Sequence, residues 1–175
     1  MRLAAAALVV SLVAVPALAK PKGAVTVSLK TSTGQDAGTA TFVPAKNNKL
    51  TIQIKLKNLP PGQHAVHIHE HAACDAPDFK TAGGHFNPTS KKHGMENSMG
   101  HHAGDLPQNV TVAANGTGSA TFHVDYLSLD PAASDSLFAN GGTSIMVHEK
   151  ADDMKTDPTG NAGNRIACGV ITAPK

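Results

Sequence analysis

Seven side chains in this sequence have the chemistry of transition-metal ligands. His67 and His69 are one residue apart, then come His85, His93, His102 and Asp105, then His148. Neutral imidazoles and a carboxylate are the donors that zinc and copper ions take, and seven exceed what one four-coordinate ion uses. The count points to two metal sites, with a donor in common as the arrangement to test.

The elements that must hold these donors are strands. In Ala65 to Glu70, Val66 and Ile68 alternate with His67 and His69, and in Ser144 to His148, Ile145 and Val147 alternate with Met146 and His148. Side chains on a strand point to opposite faces in turn, so an aliphatic core side leaves the three imidazoles together on an outer surface that loops can roof. A period of two recurs at Val25, Val27 and Leu29, at Leu50, Ile52, Ile54 and Leu56, and at Val110 and Val112. It recurs again at Ala120, Phe122 and Val124 and at Ile166, Cys168 and Val170. Turn signals at Thr33-Gly34-Gln35, Lys46-Asn47-Asn48, Pro60-Pro61-Gly62 and Asn115-Gly116 separate the runs. The pattern predicts an all-β domain, an antiparallel sandwich or barrel of about eight strands.

Two stretches break the rhythm. Glu70 to Leu106 and Glu149 to Asn164 are rich in Gly, Asn, Asp, Pro and Thr, and both far exceed the ~4 to 6 residues of a typical connection. Long ordered loops need something to hold them. The first carries His85, His93, His102, Asp105 and Cys74, so metal ligation and a disulfide can stand in for regular structure. The second runs from His148 towards Arg165, as a loop built around function does.

The 175 residues hold 15 Lys and Arg against 13 Asp and Glu, for a formal charge of +2. That near balance, with no basic cluster interleaved with aromatics, gives no support for a nucleic-acid partner. Residues 1–19 read as a signal peptide, with Arg2, an apolar run from Leu3 to Val15, and a small-x-small cleavage site at Ala17-Leu18-Ala19. One domain, 20–175, remains after cleavage; no later segment is apolar enough to span a bilayer, so no membrane partner is expected. Export favours pairing of the two cysteines, Cys74 and Cys168.

The stretches His67-Ile68-His69-Glu70, Gly84-His85-Phe86-Asn87-Pro88, His93-Gly94, His102-Ala103-Gly104-Asp105-Leu106, Val147-His148-Glu149-Lys150-Ala151-Asp152-Asp153 and Gly160 to Ile171 occur in the order found in one family. Together they resemble copper/zinc superoxide dismutases, and the match covers nearly all of the chain after residue 19. The resemblance implies an eight-stranded antiparallel Greek-key β-barrel or sandwich with two long functional loops. It makes His67, His69, His85 and His148 the copper ligands and His85, His93, His102 and Asp105 the zinc ligands, with His85 bridging. Asp152 would then hydrogen-bond His67 and His93, and Arg165 would hold a small anion beside copper. Joined to Cys74, Cys168 would anchor the first long loop to the strand that presents Arg165.

The implied reaction is disproportionation of superoxide to O2 and hydrogen peroxide, with one copper and one zinc per chain and His85 as the proton carrier. His64 matches a position that often backs the copper ligands. His101 competes with the adjacent His102, but only His102 keeps the His-Ala-Gly-Asp motif, which leaves His101 as an exposed loop residue. His71, His123 and Asp153 read as surface groups, and Met95 and Met99 as apolar loop filler rather than soft Cu(I) ligands. Ala65-Val66 replaces a common Gly-Phe, and the second loop lacks the charged run of some animal members. Steering of the anionic substrate then falls to Lys80, Lys91, Lys92 or Lys150. The short loop and the signal resemble periplasmic bacterial members, with secretion as the alternative; a homodimer is compatible, though no apolar patch marks its interface. A cupredoxin needs a thiolate ligand with a histidine close downstream, and Gly169-Val170-Ile171 after Cys168 supplies none. A non-catalytic metal binder could dispense with Arg165 or Asp152, and both are present.

Overall fold

The computed structural model describes residues 21–46 and 49–174. The expected signal peptide lies outside the described residues, as does most of the turn at Lys46-Asn47-Asn48. Alternating aliphatic residues build strands β1 (Val25–Thr31), β3 (Leu50–Leu56), β6 (Val110–Val112), β7 (Gly118–Val124), β8 (Thr143–His148) and β9 (Arg165–Ile171). The short β4 (Gly62–His64) and β5 (Val66–His69) flank Ala65, and β2 spans Asp36–Pro44.

These nine strands among the described residues form one sheet in the order β4-β6-β7-β3-β2-β1-β9-β8-β5. Every neighbouring pair is antiparallel. The two ends of that order, β4 and β5, are consecutive in the chain, so one bent stretch at Ala65 pairs first with β6 and then with β8. Counted as a single strand, it gives the expected eight, wrapped into a nearly closed all-β barrel. Inside lie Leu29, Phe42, Ile52, Ile54, Ile68, Leu106, Phe122 and Ile145, all buried in one cluster. Each such side chain contributes roughly 1.5–3 kcal/mol on burial.

Two local readings change. β2 escapes the hydropathy pattern because its buried positions include Ala37, Gly38 and Ala40 beside Phe42. In β9 the core side is Ala167, Gly169 and Ile171 rather than Ile166, Cys168 and Val170. Ala167 and Gly169 pair with Val147 and Ile145 of β8. A Cβ on Gly169 would meet the side chains of Val27 and Leu29, so β1 fills the space that larger inward residues on β9 would need. Val170 consequently faces out, 39% exposed. Cys168 joins Phe79, Ala82 and Met146 in a second small cluster outside the barrel, where it is disulfide-bonded to Cys74 across 94 residues of chain.

Candidate metal centre

Every residue of β5 and β8 is buried, although their two faces look in opposite directions. Val66, Ile68, Ile145 and Val147 enter the barrel core, while His67, His69 and His148 lie under the long loops. The roof is bonded to the sheet. The first loop pairs with the free edge of β5, where Ile68 N–H donates to the Gly104 carbonyl at 2.8 Å and Phe86 N–H to the Ile68 carbonyl at 2.8 Å. Glu70 N–H donates to the Gly84 carbonyl at 3.0 Å. This register sets His85 opposite His69 and Asp105 opposite His67. Gly104 permits the approach, since a Cβ there would collide with the Ile68 carbonyl.

The seven expected donors come together in two buried groups that share His85: His67, His69, His85 and His148, and His85, His93, His102 and Asp105. In the all-imidazole group, His69 Nδ1 donates to the Gly83 carbonyl at 3.0 Å and His148 Nδ1 faces the Gly163 carbonyl at 3.4 Å. Each ring then presents Nε2 to the other, 3.4 Å apart. Burial, followed by repulsion from neighbouring rings, holds His69 and His148 well below the usual imidazole value. Both are therefore neutral at pH 7, and two lone pairs face each other. His67 donates from Nε2 to Asp152 Oδ2 at 2.8 Å, which leaves Nδ1 to the group.

In the mixed group, Asp105 is set by its backbone surroundings. Its Oδ2 accepts from Gly94 N–H at 2.8 Å and from His102 N–H at 3.0 Å. Oδ1 meets the Nδ1 atoms of His85, His93 and His102 at 2.9, 3.0 and 3.3 Å. Burial alone would raise Asp105, but the imidazoles of His102, His85 and His93 around it and the Gly94 N–H outweigh it and hold the carboxylate far below its ordinary range. Burial also opposes charge on His93, yet Asp105 and Asp152 raise that ring to about 9. His85, shared between the groups, is pushed down to about 3, by burial first and the nearby His67 ring second, against the pull of Asp105.

Asp152 links the groups, accepting from His67 on one oxygen and from His93 Nε2 at 3.0 Å on the other. Whether the site suits metal ions is decided by its leftover valences. Three buried ring nitrogens make no hydrogen bond of good geometry: His67 Nδ1 and His85 Nε2 have no protein partner, and His93 Nδ1 has only its close approach to Asp105 Oδ1 at 3.0 Å. Orphaned buried polar groups cost about 1–3 kcal/mol each, and cations among these donors satisfy all three. Four neutral imidazoles suit Cu(II), and three nitrogens with one carboxylate oxygen suit Zn.

The family model described as copper/zinc superoxide dismutase matches residues 36–171. The chain belongs to the copper/zinc superoxide dismutase family. Superoxide dismutase (Cu-Zn) 1 of Aquifex aeolicus is 45% identical over 139 residues, 79% of this chain and 81% of the relative. The (Cu-Zn) superoxide dismutase of Caulobacter vibrioides is 42% identical, over 83% of this chain and 84% of the relative. Among solved structures, a double mutant of a SOD-like protein from Bacillus subtilis superposes with a TM-score of 0.80 at 40% identity, covering 84% of this chain and 96% of that one. Copper and zinc are the metals of this superoxide dismutase family, in accord with both donor groups.

Arg165 pairs with His148 across β8 and β9, beside an irregularity in the ladder. Its Nη1 and Nη2 donate to the carbonyls of Phe79 and Gly83 at 2.6 Å each, and with Asp78, Lys80 and Asn164 it lines an open pocket of about 380 Å³. Lys80 is ion-paired with Asp78 and Lys92 with Asp157, while Lys91 and Lys150 are exposed. His64 sits behind the site, with Nδ1 2.7 Å from the His148 carbonyl and Nε2 2.8 Å from that of Pro60. His71 and His123 are exposed, as expected.

His101 is not the exposed loop residue that its competition with His102 implied. It is half-buried against Tyr126, ring centroids 4.5 Å apart. Asp153 is exposed but organises its loop, accepting from the backbone of Lys155 and Thr156 and from Asn161; that hydrogen bonding lowers it to about 2. Sequence reasoning missed Asn109, which clasps the Asp152 backbone with N–H to Oδ1 at 2.7 Å and Nδ2 to the carbonyl at 3.0 Å. It also missed Asp157, which accepts from His93 N–H at 2.8 Å. Nothing in their spacing singles out either residue.

Proposed function

We propose that the protein dismutates superoxide outside the cytoplasm, with copper held by His67, His69, His85 and His148 and zinc by His85, His93, His102 and Asp105. The observation that carries this reading is the set of three buried ring nitrogens left without a hydrogen bond. One of them supports the shared role of His85, whose Nδ1 reaches Asp105 while its Nε2 is left to the all-imidazole group.

Bound copper supplies a one-electron couple, so that two superoxide ions and two protons become O2 and hydrogen peroxide. Zinc, which has no redox chemistry, keeps the loop in place. Arg165 draws in the anion: its carbonyl contacts use two of five N–H donors and fix the guanidinium plane, leaving the others for substrate. Enzymes of this family are a standard example of such electrostatic attraction. His85 is the proton carrier that the family resemblance implies, and its Nε2, which no protein group occupies, is the atom free to take up and release that proton. Asp152 keeps His67 and His93 turned towards their metals. Export is supported by the composition of residues 1–19 and by the Cys74–Cys168 disulfide.

The test is superoxide removal by protein loaded with one copper and one zinc, together with fractionation of the producing cells. Activity that disappears on copper chelation and sits in the periplasmic fraction is expected. A fully loaded but inactive protein would leave only a metal-binding role.

A further inference from the structure

We propose that His101 and Tyr126 are a positioning pair for the zinc group, acting from outside it on two backbone carbonyls. This rests on the zinc reading above. His101 Nδ1 donates to the His102 carbonyl at 2.7 Å, and Tyr126 Oη donates to the Asp105 carbonyl at 3.0 Å. The two rings pack edge to face, 4.5 Å between centroids with 67° between planes, so each holds the other in place.

The carbonyls concerned bracket the turn His102-Ala103-Gly104-Asp105, which sets an imidazole and a carboxylate in mutual register. Inside the turn, Asp105 N–H donates to the His102 carbonyl at 3.2 Å and His102 N–H to Asp105 Oδ2 at 3.0 Å. The His102 carbonyl thus takes two donors, one from the turn and one from His101, which uses both of its lone pairs. The Asp105 carbonyl is held by Tyr126. Tyr126 lies two residues past the end of β7, so its hydroxyl ties the turn to the barrel wall, while Gly104 ties the other side to β5. Fixed from both sides, the turn cannot tilt one zinc donor without the other. On its far side the pair lines an open pocket of about 540 Å³ with Lys91 and Asp135, so the bracing is reached from solvent without crossing the substrate side at Arg165.

Outer hydrogen-bond partners of metal ligands are commonly worth ten- to hundredfold in affinity. Tyr126→Phe, which removes one hydroxyl, is expected to weaken zinc binding by about tenfold or more in chelator competition. Copper affinity and the metal-free melting temperature should stay near wild type. With Co(II) in the zinc site the visible absorption bands should shift. His101→Ala should lower zinc affinity similarly, and His101→Asn, which keeps an N–H donor near the same carbonyl, should restore most of it. The chain has one tyrosine and no tryptophan, so tyrosine emission of the unaltered protein should change on adding zinc. Unchanged zinc affinity and cobalt bands in Tyr126→Phe overturn the proposal, as does a loss confined to metal-free stability. A wild-type protein that binds zinc without disturbing Tyr126 emission overturns this inference alone, whereas one that binds no zinc overturns the zinc reading with it.

Discussion

The two donor groups share one histidine and are built in opposite ways. His67, His69 and His148 ride on β5 and β8, which are joined to each other by an antiparallel main-chain ladder. His85, His93, His102 and Asp105 all belong to one long connection with little regular structure beyond the turn Lys80–Ala82. Their charges differ as well. The strand-borne group has no carboxylate among its donors, and burial holds His69 and His148 well below the usual imidazole value, whereas the loop-borne group encloses a buried anion. A redox ion must keep one environment through two oxidation states, which a sheet provides. A structural ion instead contributes to folding whatever it gathers.

The sharpest way to break this contrast is to remove one donor from each group. His148→Ala should cause near-total loss of superoxide removal while zinc content, measured on the same sample, stays at one per chain; simultaneous zinc loss would erase the distinction. His102→Ala should lower zinc affinity by about a hundredfold or more, since four donors become three. It should speed proteolysis within residues 70–106, with amide protection of β1 to β3 unchanged. Arg165→Ala should retain copper but slow superoxide removal by about ten- to a hundredfold, within the usual range for electrostatic attraction, for which this family is a standard case. The variant's rate should also respond less to salt.

The smallest effect is a pH dependence of opposite sign in the two groups, read from melting temperatures of the metal-free protein. His69, His85 and His148 have folded values below the ordinary 6.5. The unfolded chain therefore binds more protons as pH falls below 6.5, and stability declines there. His93, raised to about 9, contributes stability that is complete below 6.5 and is lost as pH rises through about 9. A maximum near neutrality, falling by several degrees on either side, is expected; His93→Gln should abolish the alkaline fall alone.

Much of the strand-borne half was legible from alternation, because the parity of Val66-His67-Ile68-His69 depends only on neighbours along one strand. In the loop-borne half the donors stood out by residue type, but their division between two ions was legible only through resemblance to a family. That Asp105 lies opposite His67, or that Tyr126 reaches the Asp105 carbonyl, depends on pairings between distant segments that no local period encodes. β9 was read in the wrong phase for a similar reason. Which face of it is inward depends on the bulk of Val27 and Leu29 on another strand, and small residues at 167 and 169 carry little hydropathy of their own. β2 was missed because alanine and glycine fill a core position without announcing it.

The stretch through Ala65 that forms both ends of the sheet has a further consequence. Unpaired strand edges invite other chains to add to them, and here the outward edge of β5 is capped by Gly84, Phe86 and Gly104 of the loop that carries the zinc donors. If zinc holds that loop as proposed, losing the ion would loosen the cap on a strand edge as well as disarm a catalyst, and metal starvation would then favour self-association.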